Sequence, residues 1–142
     1  ILSEDKKLCG ILIENIVRQN RFEESIIGIG LNVNQSEFFN LPQASSLKLI
    51  SGRIFDLDEV LSQILQNLKY YFKVLKQGAL SELKTEYETY LFRKNKPSTF
   101  KDAEGVVFSG FIRQVSDSGN LQIVLEDNIV KEYSLKEVSL LY

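Results

Sequence analysis

The chain contains no methionine, no histidine and no tryptophan, only one cysteine, and only two prolines among 142 residues. Without histidine it lacks the commonest general base, the Ser-His and Cys-His nucleophile pairs, and the usual ligand set of a zinc site. Hydrolase triads and zinc centres are therefore disfavoured. A lone Cys9 rules out an intrachain disulfide and gives no sign of an oxidising compartment, which favours a cytoplasmic setting. The missing methionine implies that Ile1 does not follow directly from a start codon, so the segment is expected to be truncated on its N-terminal side. No apolar run approaches the roughly 18 to 20 residues needed to span a bilayer. The N-terminus carries no signal-peptide pattern either, so membrane and secreted roles are not indicated. Excess positive charge is absent as well. Seventeen Lys and Arg against 19 Asp and Glu give a net charge of -2, the wrong balance for affinity built on phosphate-backbone contacts, and nucleic acid is not an expected partner.

Apolar residues, 44% of the chain, suffice for a real core, in one domain or in a small domain plus a smaller one. The run Leu8 to Val17 is dense in β-branched residues and short for a helix, and it reads as a buried strand. After a polar turn over Arg18 to Glu24, Ser25 to Asn34 reads as a second strand with Gly28 and Gly30 inside it. From Gln35 to Phe55 the pattern is irregular, with at most a short helix or turn at Ala44 to Leu49. Asp56 sits three residues before Glu59 in a capping-box arrangement. Leu57, Val60, Leu61, Ile64, Leu65, Leu68, Tyr71, Phe72 and Leu75 then follow at helical spacing. Gly78 is placed to end that helix, and Leu80, Leu83, Tyr87, Tyr90 and Leu91 continue into a second one expected to pack against it.

The basic stretch Arg93 to Pro97 marks the change from helical to strand-like periodicity and reads as a boundary near residue 95. Beyond it come five short strand-like runs, 98–101, 105–115, 120–126, 129–134 and 138–141, separated by turn signals at 102–104, 116–119 and 127–128. Five short antiparallel strands in this length suggest a small SH3-like β-barrel. The fold class expected is α+β, with 1–95 as one part and the barrel over 96–142 as the other.

Three places carry candidate chemistry. Lys7 precedes the first strand and Gly10 lies three residues on. The pair is either a solvated lysine beside a packing glycine or a cation and bare backbone facing one ligand. Gly28 and Gly30, two apart, share a strand face and leave a groove free of side chains, which suits either a flat ligand or a tight sheet-helix contact. Asn32 continues that face, and its amide both donates and accepts, as the edge of an adenine requires.

The segment Lys7-Leu8-Cys9-Gly10-Ile11-Leu12-Ile13-Glu14 resembles the K-L-x-G-I-L-x-E segment of biotin protein ligases. Ile27-Gly28-Ile29-Gly30-Leu31-Asn32-Val33-Asn34 is similar to their I-G-x-G-[IL]-N-V-N segment, which follows at the same spacing. Ala44-Ser45-Ser46-Leu47 resembles their A-[ST]-S-L, and Phe108-Ser109-Gly110 with Gly119-Asn120-Leu121 resembles their small C-terminal barrel. The resemblance covers essentially the whole chain. It implies the latter half of a biotin/lipoate ligase-like catalytic domain followed by an SH3-like barrel.

The activity implied is ATP-dependent formation of biotinyl-5'-AMP, then transfer of biotin to a lysine of a biotin carboxyl carrier protein or domain. Biotin and ATP are the implied substrates, with Mg2+ accompanying ATP and no metal site in the chain itself. By the same carry-over, Lys7 is the catalytic cation and also contacts biotin. Gly10, Leu12, Gly28 and Gly30 line the biotin pocket, and Asn32 meets the nucleotide. The family's G-R-G-R-type loop and W-P-N-D segment lie upstream of K-L-x-G and are not in this chain, so the fragment alone is expected to be inactive. Where some members carry a phosphate-reaching arginine after E-[IV]-S-L, Leu141 follows Glu137-Val138-Ser139-Leu140 here. A competing reading is a non-catalytic protein-binding module that retains the ligase-like fold. An open sheet edge would also favour self-association into a homo-oligomer.

Overall fold

The computed structural model describes residues 1–3, 5–19, 21–134 and 136–141, together with all their side chains except those of Arg21 and Phe22. Two compact units divide it, Ile1–Leu68 and Lys69–Tyr142.

In the first unit, two-residue strands β1 (Leu2–Ser3) and β2 (Lys6–Lys7) pair antiparallel ahead of the long strands β3 (Cys9–Arg18) and β4 (Arg21–Leu31). β3 and β4 pair antiparallel from Cys9 opposite Leu31 to Arg18 opposite Arg21, with one irregularity between Ile16 and Val17. The strands run further into the polar stretch than composition suggests. The Arg18 guanidinium lies 2.9 Å from the Glu23 carboxylate beside the turn. The expectation of a buried strand fails. Only Cys9 of β3 is buried, and Ile11, Leu12 and Ile13 are 51%, 66% and 55% exposed. The composition belongs to a covered strand, but β3 has one ladder partner, β4, and no third strand joins them among the described residues.

A short helix, α1 (Leu47–Ser51), starts at Ser46, whose hydroxyl accepts from the Leu49 amide at 3.2 Å. It ends at Gly52 in the left-handed region, φ 72°, as an αL cap requires. α2 (Leu57–Lys76) begins at Asp56, whose Oδ1 accepts from the amides of Asp58 and Glu59 at 2.8 and 3.0 Å. These are orphan donors of the first turn. Gly78, φ 79°, terminates it and donates to the Leu75 carbonyl. α3 (Leu80–Thr89) follows. The helices meet where the Tyr71 hydroxyl donates to the Glu86 carboxylate at 2.6 Å, but neither contains a buried residue. No helix among the described residues is long and apolar enough to cross a membrane.

The second unit is built on an antiparallel sheet in the order β8-β7-β6-β5-β9, from β5 (Pro97–Asp102), β6 (Val107–Val115), β7 (Leu121–Leu125), β8 (Val130–Tyr133) and β9 (Val138–Leu141). Five strands in this order fit the SH3-like domain. β8 and β9 form the sheet edges, and no ladder closes it into a barrel among the described residues. Gly105, Gly119 and Asn128 take positive φ at the three hairpin turns, 86°, 88° and 63°, the conformations that Asn and Gly tolerate. Phe100, Ile112 and Ile123 form the core, with Leu91, Phe108, Leu121, Leu125, Tyr133, Val138 and Leu140 packed around them. The rings of Phe100, Phe108 and Tyr133 stack in sequence at 5.5 and 5.6 Å. Glu88 of α3 ties the helix to this sheet. Its carboxylate, only 12% exposed, accepts from the Val115 amide at 3.1 Å and from the Lys94 ammonium at 3.0 Å.

Two stability predictions follow from this unit. A Cβ at Gly110 would lie 2.7 Å from Ile123 Cγ2 and 2.9 Å from the Val124 carbonyl, so Gly110→Ala is expected to destabilise by about 2 kcal/mol or more in urea unfolding. An unchanged midpoint would show that the sheet yields freely there. The Val115 amide first, and then Lys94, hold Glu88 below its ordinary value of 4.5. Its contribution is therefore complete above that value and is lost as pH falls through the lowered one. Glu88→Gln should be less stable than the parent at pH 7, with the gap shrinking below pH 4.5. A gap independent of pH would assign the effect to packing.

Candidate functional site

The register of β3 on β4 sets the geometry. Gly10 stands opposite Gly30, and Leu12 opposite Gly28. Directly opposed residues share a face, and residues two apart along a strand share it too, so these four positions form two adjacent rows on one face of the hairpin. Three of the four lack a side chain, and Leu12 rises beside them. The result is a flat strip of exposed backbone bounded by one aliphatic chain.

Two ordinary reasons for glycine do not apply to this strip. None of Gly10, Gly28 and Gly30 has positive φ. Nor does packing demand them: a Cβ at Gly10 would meet nothing within 4 Å, one at Gly30 only the Gly10 carbonyl at 4.0 Å, and one at Gly28 only Leu12 atoms at 3.8 and 3.9 Å. The tight sheet-helix contact considered from sequence is therefore not what these glycines serve among the described residues. The space above them stands open.

At the end of the strip the backbone is held firmly. The Asn32 amide donates to the Leu8 carbonyl at 2.9 Å, extending the ladder one step past β4. The Asn32 side-chain Nδ2 donates to the Ser45 carbonyl at 3.0 Å, leaving Oδ1 and the second Nδ2 hydrogen uncommitted by that bond. The Lys7 amide donates to the Gln43 carbonyl at 2.6 Å, and the Ser45 amide donates to the Lys7 carbonyl at 3.0 Å. Ser46, fully buried, donates from Oγ to the Gln35 carbonyl at 2.6 Å while capping α1. Lys7 itself is exposed, and its ammonium has no partner among the described residues, whereas the neighbouring Lys6 donates to the Pro42 carbonyl at 2.6 Å.

The structure thus brings Gly10, Leu12, Gly28 and Gly30 onto one surface, puts Asn32 at its end, and links Lys7 to Asn32 through the backbone of Ser45. Sequence reasoning missed the part played by Gln43, Ser45 and Ser46. Ser46 three residues before Leu49 is a legible N-cap signal. The roles of Gln43 and Ser45 run through their backbones and leave no mark in residue type. Among the described residues no group of three or more His, Cys, Asp or Glu could hold a metal ion.

No protein-family model matches the chain. It is 30% identical over 139 residues to the bifunctional ligase/repressor BirA of Bacillus spizizenii, covering 94% of this chain and 42% of that protein. The BirA of Bacillus subtilis is 29% identical with the same coverage. Among solved structures, the apo biotin protein ligase of Aquifex aeolicus superposes with a TM-score of 0.75 at 27% identity, covering 97% of this chain and 60% of that one. The same enzyme in complex with biotin and ATP gives 0.74, over 97% and 57%. The chain thus spans less than half the length of the curated relatives it matches. In both sequence and fold, this chain is homologous to the biotin protein ligases and corresponds to the C-terminal part of that enzyme.

Proposed function

We propose that these residues form one wall of the active site of an ATP-dependent biotin protein ligase. In this reading residues 1–95 belong to the catalytic domain and 96–142 form the SH3-like domain. The observation that carries it is the open glycine strip, three side-chain-free positions in register with no internal reason to be glycine. Bare backbone beside Leu12 suits a flat, fused-ring ligand whose apolar faces need contact and whose polar edge needs backbone partners.

The reaction proposed has two steps. The biotin carboxylate attacks the α-phosphorus of ATP, forming the mixed anhydride biotinyl-5'-AMP and releasing pyrophosphate. The amine of a carrier-domain lysine then attacks the acyl carbon and releases AMP. Negative charge builds on the phosphoryl oxygens in the first step. A fixed cation there stabilises the transition state more than the ground state, which is the role proposed for Lys7, with biotin's carboxylate beside it. Gly10, Leu12, Gly28 and Gly30 hold the biotin rings. Asn32 meets the adenine with the Oδ1 and N–H that Ser45 leaves free. Mg2+ would enter with the nucleotide and offset phosphate charge. The setting proposed is cytoplasmic, the protein partner a carrier domain, and the exposed strands of the hairpin a surface for self-association.

Three measurements test this reading. In the full-length protein, Lys7→Ala should lower adenylate formation by about two orders of magnitude, as loss of one transition-state charge contact does. A near-normal rate would reduce Lys7 to a surface lysine. Gly30→Val should raise the KM for biotin about tenfold or more while leaving the thermal midpoint nearly in place, since a Cβ there would meet only the Gly10 carbonyl at 4.0 Å. Unaltered biotin affinity would remove the strip from the site and favour a protein-binding module. The 142 residues by themselves are expected to form no biotinyl-adenylate, because the strip is walled on one side only, and turnover by them would overturn that expectation.

A further inference from the structure

In the first unit the buried described residues are Leu8, Cys9, Ser45 and Ser46. All four lie where the segment leading from Lys7 into β3 runs alongside the segment leading into α1, with a parallel bridge between Lys7 and Ala44. Both backbone groups of Lys7 are committed at this junction, its amide to Gln43 and its carbonyl to Ser45. Ser45 has a partner at each end of the site, through the two peptide groups that flank its Cα. Its N–H reaches Lys7, and its carbonyl accepts from the Asn32 side chain. The backbone on either side of Asn32 is tied to the same segment, with the Leu47 amide donating to the Asn32 carbonyl at 3.0 Å and the Lys48 amide donating to the Val33 carbonyl at 2.9 Å.

We propose that Asn32 is a positioning residue for Lys7, acting through the backbone of Ser45. The Lys7 side chain has no partner among the described residues, so its placement depends on where its backbone is held. That backbone is held by residues 43 and 45. Among the described residues, the side-chain hydrogen bond that reaches the Ser45 carbonyl comes from Asn32. Removing the donor leaves the partly buried Ser45 carbonyl without that bond and frees the 45–46 peptide group to turn about the Ser45 Cα, which loosens the N–H of the preceding peptide group on Lys7. A flexible lysine head carried on a loosened backbone spends less time where charge develops, and a small misplacement is enough to lower the rate. One side chain thereby couples the nucleotide end of the site to the cation, a link that the contacts assigned above do not require.

The proposal rests on the assignment of Lys7 in the reaction, and two measurements separate its failure from failure of that assignment. The first needs no activity: in Asn32→Ala and in the isosteric Asn32→Asp, which retains shape but loses the donor, hydrogen exchange at the Ser45 amide should quicken about tenfold or more relative to amides in the β5–β9 sheet. Unchanged Ser45 protection in both variants overturns the positioning role, whatever the enzyme does. The second is a double-mutant cycle for adenylate formation in the full-length protein at saturating ATP. Asn32→Ala should lower kcat in the parent and change it little in the Lys7→Ala background, because both act at one point. Effects that multiply, or a change confined to the KM for ATP, would make Asn32 a nucleotide contact only. If the parent forms no adenylate, the functional assignment falls and the exchange experiment still decides the hydrogen-bond chain.

Discussion

The first unit depends on one junction, where the segment holding Leu8 and Cys9 runs beside the segment holding Ser45 and Ser46, bridged in parallel at Lys7 and Ala44. Burial in this unit is concentrated there, and the hydrogen bonds that join β2, the end of β4 and the start of α1 run through it. A two-stranded hairpin in water is marginal on its own, and β3 and β4 show long apolar side chains to solvent on both faces. What gives the pair a defined end is the Asn32 amide on Leu8, backed by the Asn32 side chain on Ser45. Asn34 fastens the far side of the same segment in both directions, its Nδ2 donating to the Phe55 carbonyl at 2.8 Å and its Oδ1 accepting from the Phe55 amide at 3.0 Å. Phe55 is next to the Asp56 cap, so the two asparagines of N-V-N connect the hairpin end to α1 and to the start of α2.

Placed against that anchor, the glycine strip reads as a surface kept clear. A glycine inside a strand costs backbone entropy and forgoes side-chain packing, roughly 0.5 to 1 kcal/mol relative to alanine. Three on one face are a cost that the described packing does not repay, since a Cβ would meet nothing within 4 Å at Gly10 and only ordinary contacts at 3.8 to 4.0 Å at Gly28 and Gly30. Gly110 is the contrast within the same chain: there the Ile123 side chain and the Val124 carbonyl occupy the space a Cβ needs. One glycine is explained by its own fold. The other three have no such close neighbour among the described residues.

The elements with strong local signals were legible in the sequence. The helical repeat from Leu57 to Leu75, the Asp56 cap and the Gly78 stop depend on neighbours within a few residues, and each appears where the pattern places it. The five strands and turns of the second unit were legible for the same reason, with Asn128 and Gly119 marking the positive-φ positions. Burial of Leu8 to Val17 was misread because composition reports the environment a strand suits, and its actual cover depends on chain segments distant in sequence. The pairing of Gly10 with Gly30 and Leu12 with Gly28 could not be reached from spacing alone, since a one-residue slip of register would have split them between faces. Gln43 and Ser45 were invisible because they act through backbone groups that every residue shares.

The way Lys7 is held suits the chemistry proposed for it. A lysine locked by a carboxylate partner would have its charge partly neutralised, and would have to break that pair before meeting a phosphate. Here the backbone is fixed through Gln43 and Ser45 while the ammonium remains unpaired among the described residues. In the proposed reaction, the roughly 2 kcal/mol of side-chain freedom it retains would be given up only on meeting a charged ligand. Anchoring the main chain narrows the region the head can search without satisfying the head itself, which under that proposal would leave more of its electrostatic interaction for the charge that develops.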